Sequence, residues 1–190
     1  MSQKKSNHMR GGALFLDLAT LAPGDLVLSG LERVATPLHC FQLTAAAELA
    51  TRNIDAWCAI SNKVYLGREF FDARPAMRLV CIAATGTNNV DLEAAADHGV
   101  AVVNCRDYCT DSLAQHTLML ILALVRSLPQ YQADVAADAW SRSSMFCLLD
   151  HPVREIGGLR LGIVGYGTIG RQVKSLAAAV GMEVRISERP

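Results

Sequence analysis

The sequence lacks an excess of charge of either sign, since its 190 residues include 18 Lys and Arg against 18 Asp and Glu. A nucleic-acid-binding protein needs a basic face that displaces counterions from phosphates. A polybasic membrane anchor needs clustered Lys and Arg. The balanced charge therefore argues against nucleic acids and membrane surfaces as partners, and it indicates a small molecule or another protein.

Long apolar runs are also missing. The longest, Leu118 to Val125, has eight residues, whereas a membrane-spanning helix needs about 20. Residues 1–12 are polar and contain no apolar segment typical of a secretory signal, so we expect a disordered lead-in there. The expected location is the cytoplasm.

Paired cysteine spacings do not occur. Because there is no CxxC pair and no CxxC followed by HxxxH, the sequence predicts neither a disulfide framework nor a metal site. This cysteine usage is typical of a reducing compartment. The six cysteines are Cys40, Cys58, Cys81, Cys105, Cys109 and Cys147.

Hydrophobic residues make up 51% of the chain, which is ample for a core. Short apolar runs predict strands of a parallel sheet covered on both faces, and they lie at 13–18, 38–43, 55–60, 78–84 and 100–104. Between them the sequence predicts helices at 44–53, 67–73 and 91–99, the last with Asp91 as its N-cap and Gly99 just past its end. This alternation predicts an α/β fold with right-handed crossovers.

The pattern changes near Tyr108, where we place a domain boundary. A long helix is predicted from Ser112 to Ser127, with Ser112 and Gln115 at the spacing of a capping box. A further helix is expected around 130–139. Residues 159–167 then predict a strand and a glycine turn, followed by a helix from 168 to about 180 and a strand at 182–187.

The glycine turn, Gly165-Tyr166-Gly167-Thr168-Ile169-Gly170, is a GxGxxG between a strand and a helix, which is the context of a dinucleotide-binding fingerprint. Gly165 permits the tight turn, Gly167 lets the backbone approach a pyrophosphate, and Gly170 lets the helix pack on the strand. The backbone N–H groups of Thr168 and Ile169 would face the phosphates at the positive end of the helix dipole. The alternative is a tight turn that binds nothing.

Glu188 lies 18 residues beyond Gly170, at the end of the second strand. A carboxylate there can accept hydrogen bonds from the adenosine ribose hydroxyls and would repel a 2′-phosphate. Arg189 beside it could instead accept that phosphate. The sequence therefore predicts NAD as the cofactor, with NADP as the alternative.

A second candidate site follows the fourth predicted strand, in the stretch ATGTNNVD at 84–91. The carboxyl ends of strands are where α/β sheets bind ligands. Thr85 and Gly86 can present backbone N–H groups to a carboxylate. Ser61-Asn62-Lys63 lies at a similar strand end. Turn formation and helix capping are the alternative explanation for both stretches.

Together these motifs resemble the D-isomer-specific 2-hydroxyacid dehydrogenase family, especially its glycerate dehydrogenase and hydroxypyruvate reductase branch. The resemblance runs from about Ala13 to the last residue. It is carried by Ser61-Asn62-Lys63, ATGTNNVD (84–91), NCRDYCTDSLAQHT (104–117) and LRLGIVGYGTIGRQV (159–173). The order of ATGTNNVD and GxGxxG is specific to it.

The resemblance implies a flavodoxin-like substrate domain, with its N-terminal part at 13–108, followed by the start of a Rossmann NAD-binding domain at 109–190. Thr85 and Gly86 would hold the substrate carboxylate, with Asn62 near the same pocket. Leu113 would approach the nicotinamide end of the cofactor. The 112–127 helix and the loop around Trp140 would form the surface of a homodimer.

The implied reaction is hydride transfer between NAD(H) and a small D-2-hydroxy or 2-keto acid, either glycerate/hydroxypyruvate or glyoxylate. The Arg, Glu and His expected to catalyse it would lie beyond Pro190, and none of the five histidines is assigned the acid/base role. We expect the 190-residue chain alone to be inactive and poorly stable. The alternative function is a non-catalytic NAD-binding or dimerisation module.

Overall fold

The computed structural model describes residues 11–21, 24–52 and 54–187. The chain divides into two compact units, residues 1–106 and 107–190. The lead-in expected at 1–12 lies largely outside the described residues, and Gly12 already belongs to the first strand.

The first unit contains a five-stranded, all-parallel sheet. Its strands are β1 (Gly12–Phe15), β2 (Leu38–Cys40), β3 (Ala56–Ser61), β4 (Leu79–Ile82) and β5 (Ala101–Asn104), in the spatial order β2-β1-β3-β4-β5. This is the flavodoxin-like order, in which the direction of winding reverses between β1 and β3. The predicted α/β class and flavodoxin-like topology are confirmed.

Four helices connect these strands: α1 (Ser29–Val34), α2 (Ala46–Thr51), α3 (Arg68–Asp72) and α4 (Leu92–Asp97). The larger core cluster lies on one face of the sheet and includes Leu14, Leu49, Phe71, Val80 and Ala94. The smaller cluster packs Phe15, Cys58 and Ile60 against partly buried residues such as Leu31. Apolar side chains on both faces account for the nearly continuous hydrophobic runs of the strands.

The second unit is built from helices around one βαβ element. Its elements are α5 (Thr110–Val125), α6 (Leu128–Ala136), α7 (Ala139–Arg142), β6 (Arg160–Val164), α8 (Thr168–Ala179) and β7 (Glu183–Ser187). β6 and β7 pair in parallel, with Arg160 opposite Glu183 and Val164 opposite Ser187. The strand, glycine turn, helix and second strand predicted from the sequence are all present.

The structure differs from the local predictions in three respects. Helix α1 and a short 3-10 turn at Leu18–Thr20 were not predicted. The long helix begins at Thr110 with Cys109 at its N-cap, not at Ser112, because the Leu113 N–H already donates to the Cys109 carbonyl at 2.9 Å. The strands expected over 13–18, 38–43 and 78–84 end earlier, at Phe15, Cys40 and Ile82.

No single helix in the described residues is long and apolar enough to cross a membrane. Taken together, Thr110–Val125 and Leu128–Ala136 pass a test of length and composition alone, but the pair is bent by 65°.

Candidate functional site

The carboxyl ends of three neighbouring strands of the first unit are level with one another. Ser61 at the end of β3 is opposite Ile82 of β4, and Ile82 is opposite Asn104 of β5. Since parallel strands all end at the same edge, the loops that follow them start side by side. The sheet thus brings Asn62 and the Thr85-Gly86 stretch to one edge.

Asp17, which sequence reasoning missed, fixes the loop that contains Asn62. Its carboxylate is 1% exposed. It accepts hydrogen bonds from the backbone N–H of Asn62 at 2.9 and 3.0 Å, of Lys63 at 2.5 Å and of Val64 at 3.3 Å. This contact lies where the winding of the sheet reverses between β1 and β3. The sequence did contain a signal for this role, because Asp17 is a charged residue inside the otherwise apolar run LFLDL.

The Asn62 side chain is buried and points toward the turn after β1. Its amide nitrogen donates to the Thr20 hydroxyl at 2.9 Å and to the Thr20 carbonyl at 3.2 Å. The Asn89 amide donates to the carbonyl groups of Asn62 and Val64 at 3.4 and 3.3 Å. The loops after β1, β3 and β4 are therefore hydrogen-bonded to one another.

Thr85 and Gly86 lie at the end of β4, where Gly86 is exposed and Thr85 is at the surface. The Asn104 side-chain amide donates to the Thr85 carbonyl at 2.7 Å. Because a trans peptide places C=O and N–H on opposite sides, this bond turns the Gly86 N–H away from Asn104. Among the described residues of this unit, neither the Thr85 N–H nor the Gly86 N–H donates to another backbone group.

Capping accounts for one end of the same stretch. The Asp91 carboxylate accepts from the Ala94 N–H at 2.9 Å, and Gly99 has a φ of +65° just after α4, as predicted. Capping thus explains Asp91 but leaves the Thr85 and Gly86 N–H groups without a backbone acceptor in the described residues. These two N–H groups are the part of the loop suited to an anion.

In the second unit, two glycines of GxGxxG are required by the fold itself. Gly165 has a φ of +94°, in the left-handed region that favours glycine. A Cβ on Gly170 would lie 2.4 Å from the Gly165 carbonyl oxygen. Turn and helix are therefore in direct backbone contact, which is the close strand–helix packing predicted for Gly170.

Gly167 is different, because nothing within the described chain requires a glycine there. It is the N-cap of α8 with a φ of −76°, and a Cβ on it would meet no atom within 4 Å. The Arg171 N–H makes the first bond of the helix, to the Gly167 carbonyl, so the Thr168 and Ile169 N–H groups precede it without helical acceptors. The space in front of these donors suits the phosphates of a dinucleotide.

Positive charge lies at the same turn. The Arg171 guanidinium donates to the Tyr166 carbonyl at 3.2 Å and lies 3.5 Å from the Thr168 hydroxyl. The Lys174 ammonium sits over the Tyr166 ring, 5.4 Å from its centre. Both charges favour an anion at the N-terminus of α8. Neither residue belongs to the GxGxxG pattern, so the motif alone did not indicate them.

Leu113 lies in the first turn of α5 and is 41% exposed. The same first turn is attached to α8 within this unit, because the Gln172 amide donates to the Asp111 carboxylate at 3.0 Å. Glu188, the predicted ribose ligand, lies outside the described residues.

Two of the described histidines have structural contacts. His98 is 2.9 Å from the Asp72 carboxylate and 2.8 Å from the Ala94 carbonyl. His151 is 2.7 Å from the Asp134 carboxylate. No group of three metal-ligating side chains is found in the described part of the chain.

With this geometry established, comparison with known proteins shows the family. A family model described as "D-isomer specific 2-hydroxyacid dehydrogenase, catalytic domain" matches residues 27–185. The chain therefore belongs to the D-isomer-specific 2-hydroxyacid dehydrogenase family, as the motifs indicate.

Two curated relatives fit the same branch. The glycerate dehydrogenase of Methylorubrum extorquens is 37% identical over 137 residues, which cover 72% of this chain and 44% of the relative. The hydroxypyruvate reductase of Blautia hydrogenotrophica is 34% identical over 174 residues, covering 89% and 53% respectively. The chain thus spans about half the length of the curated relatives it matches.

Solved structures show the same fold. The TT0316 protein of Thermus thermophilus superposes with a TM-score of 0.76 at 26% identity, covering 94% of this chain and 57% of that one. A glyoxylate reductase from Paecilomyes thermophila has a TM-score of 0.72 at 21% identity, covering 96% and 58%. At that identity the second likeness supports the fold alone.

Proposed function

We propose that the chain forms the substrate-binding and cofactor-binding parts of an NAD-dependent D-2-hydroxyacid dehydrogenase acting on glycerate/hydroxypyruvate or glyoxylate. The observation that carries this proposal is the open N-terminus of α8 at Gly167, where the described chain itself does not require glycine. The family to which the chain belongs, and the names of its relatives, favour this reaction and this group of acids.

On the substrate side, the Thr85 and Gly86 N–H groups bind the carboxylate of the acid. The Asn104 amide holds the peptide between them in orientation, and Asp17 holds the Asn62 loop beside them at the same sheet edge. Backbone donors are suited to this task because they are fixed before the ligand arrives and lose little entropy on binding.

On the cofactor side, Gly165, Gly167, Thr168, Ile169 and Gly170 form the phosphate cradle, and Arg171 adds positive charge to it. Leu113 provides an apolar contact for the nicotinamide end, and Glu188 accepts from the adenosine ribose. When bound, NAD(H) supplies or accepts the hydride. The acid/base histidine and its acidic and arginine partners are not assigned to any residue of this chain.

The same proposal includes a homodimer in the cytoplasm. Leu124 on α5 is 74% exposed, Trp140 in α7 is 58% exposed, and Phe146 after α7 is 91% exposed. Trp140 is held in place because its indole N–H donates to the Phe146 carbonyl at 3.0 Å. Large apolar side chains exposed on these elements are typical of an association surface.

A non-catalytic NAD-binding or dimerisation module is the second candidate. His98 and His151 already lie in hydrogen bonds with Asp72 and Asp134, and neither is assigned an acid/base role. The intact mass of the protein from its native source separates the two candidates. A mass well above 20.5 kDa supports the enzyme, and a mass near that value supports the module.

The cofactor assignment is tested by NADH fluorescence with the Gly167→Val variant. We expect NADH binding to be abolished while the circular dichroism spectrum is unchanged, because a valine side chain would fill the space in front of Thr168 and Ile169. Gly162→Val in β6 is the matched control, since a Cβ there also meets nothing within 4 Å. Unchanged NADH affinity in Gly167→Val would contradict the assignment.

A further inference from the structure

Arg74 is a buried cation in the first unit that the proposed function does not use. It is 5% exposed. Its Nη2 group donates to the Leu49 and Arg52 carbonyls at 2.8 Å each, and its Nη1 group lies 3.4 Å from the Phe70 carbonyl. Its Nε–H has no acceptor in the part of the chain that the structure describes. Burial lowers the pKa of this guanidinium.

The charge of Arg74 is not neutralised within the described residues. Its carbonyl partners satisfy hydrogen bonds but carry no net charge, and it takes part in none of the ion pairs found there. Removing a charge from water without an opposite charge is unfavourable. An anion bound beside Arg74 would relieve this cost.

A groove suited to such an anion runs between α2 and α3, with Arg74 in its wall. Its volume is about 400 Å³, which lies in the range of small-molecule sites. The Arg74 guanidinium stacks over the Phe70 ring, 4.5 Å from its centre. Other lining residues are mainly apolar, including Ala46, Leu49, Ala50 and Tyr65. An apolar surface therefore lies directly beside the buried positive charge.

The two other charged residues of the groove do not balance Arg74. Arg68 is already paired, because its Nη2 group lies 2.7 Å from the Asp97 carboxylate. Glu69 lines the groove but is exposed, so water screens its carboxylate. Arg74 is therefore the residue of this lining whose buried charge has no oppositely charged partner among the described residues.

We propose that the groove between α2 and α3 binds a small organic carboxylate, with its apolar body on the exposed Ala46, Ala50 and Tyr65 side chains and its negative charge against Arg74. It shares no residue with the Asn62, Thr85 and Gly86 site, so it is a second, separate site. A simple inorganic anion fits less well, because it would leave the apolar walls unfilled.

Benzoate is a suitable probe, titrated into the full 190-residue chain and followed by ¹⁵N NMR of backbone and arginine Nε–H groups. We expect saturable shifts at the Arg74 Nε–H and the Phe70 amide. Benzamide has the same shape without the charge, and we expect it, like inorganic phosphate, to bind at least about tenfold more weakly. The absence of benzoate shifts, or equal affinity for benzamide, would overturn the proposal.

A pair of variants on α2 locates the site without altering Arg74. Ala50→Phe fills the groove and should weaken benzoate binding by about tenfold or more. Ala47→Phe makes the same change at an exposed position of the same helix outside the groove, and it should leave binding unchanged. Equal affinities in the two variants would show that benzoate binds elsewhere and would refute the proposal.

Discussion

The buried Asp17 carboxylate accepts hydrogen bonds from the backbone N–H of Asn62, at 2.9 and 3.0 Å to its two oxygens, although the two residues are 45 positions apart in the sequence. The same carboxylate also accepts hydrogen bonds from the next two backbone N–H groups of the loop, those of Lys63 and Val64. A side chain from the turn after β1 therefore holds the backbone after β3. Three consecutive backbone N–H groups of the candidate substrate loop thus share one acceptor from outside the loop.

Asp17→Ala should destabilise the protein by about 3 kcal/mol, because three backbone N–H groups would lose a charged acceptor in a buried site. Urea unfolding gives the measurement. Asp25→Ala is the control, since Asp25 is exposed and its removal should change stability by no more than about 0.5 kcal/mol. Equal effects of the two substitutions would show that Asp17 does not hold the loop.

Gly170→Ala should destabilise the second unit by about 1–3 kcal/mol, because the new methyl group must displace the Gly165 carbonyl. That contact would be 2.4 Å. Thermal unfolding of Gly170→Ala is compared with that of Gly162→Ala, whose Cβ meets no atom within 4 Å. If both variants melt at the wild-type temperature, the close contact of turn and helix is wrong.

Cys81 should react with iodoacetamide at lower pH than the exposed Cys40. The neighbouring Cys58 thiol lowers the pKa of Cys81, whereas partial desolvation and the nearby Glu32 carboxylate raise the pKa of Cys40. The reactive thiolate of Cys81 therefore forms at lower pH than that of Cys40. Mass spectrometry of the alkylated peptides from about pH 5 to 10, with about one-unit steps, follows both residues.

The Cys58→Ala variant tests the cause of that low pKa. Without the Cys58 thiol, burial alone acts on Cys81 and raises its pKa, so its alkylation midpoint should move to higher pH. Cys40 should be unaffected. A Cys81 midpoint that stays near its wild-type value in Cys58→Ala would contradict the thiol pairing.

Glu188→Ala should narrow the preference for NADH over NADPH, because the loss of a carboxylate removes both a ribose acceptor and a charge that repels the 2′-phosphate. Fluorescence titration with each cofactor provides the ratio. Glu183→Ala, at the start of β7, should leave that ratio unchanged. A ratio that does not move in Glu188→Ala would mean that Glu188 is not the ribose ligand.

Much of the fold was predictable because its signals are local. Apolar runs identified all five strands of the first unit, and strand, GxGxxG and helix identified the βαβ element of the second. The predicted capping by Asp91 was also correct, since an N-cap depends only on the next three residues. Helix α1 was missed because its six residues, SGLERV, carry too little periodicity to be recognised.

The start of the long helix shows a limit of local rules. Ser112 and Gln115 have capping-box spacing, yet the helix begins two residues before Ser112, at Thr110. The spacing of Ser112 and Gln115 shows only that these residues could cap a helix. It does not show whether the residues before Ser112 are themselves helical. Boundaries are therefore less predictable than the elements themselves.

By itself, the sequence determined the α/β class, the family and the GxGxxG turn between strand and helix, because each depends on neighbouring residues. Only the tertiary structure decided that Asp17 holds the Asn62 loop, that Asn104 orients the Thr85 peptide, and that Arg74 is buried without an opposite charge among the described residues. These contacts join residues far apart in the chain. The first two exist because the strand order β2-β1-β3-β4-β5 places β3 beside β1 and β5 beside β4, and no short stretch of sequence specifies that order.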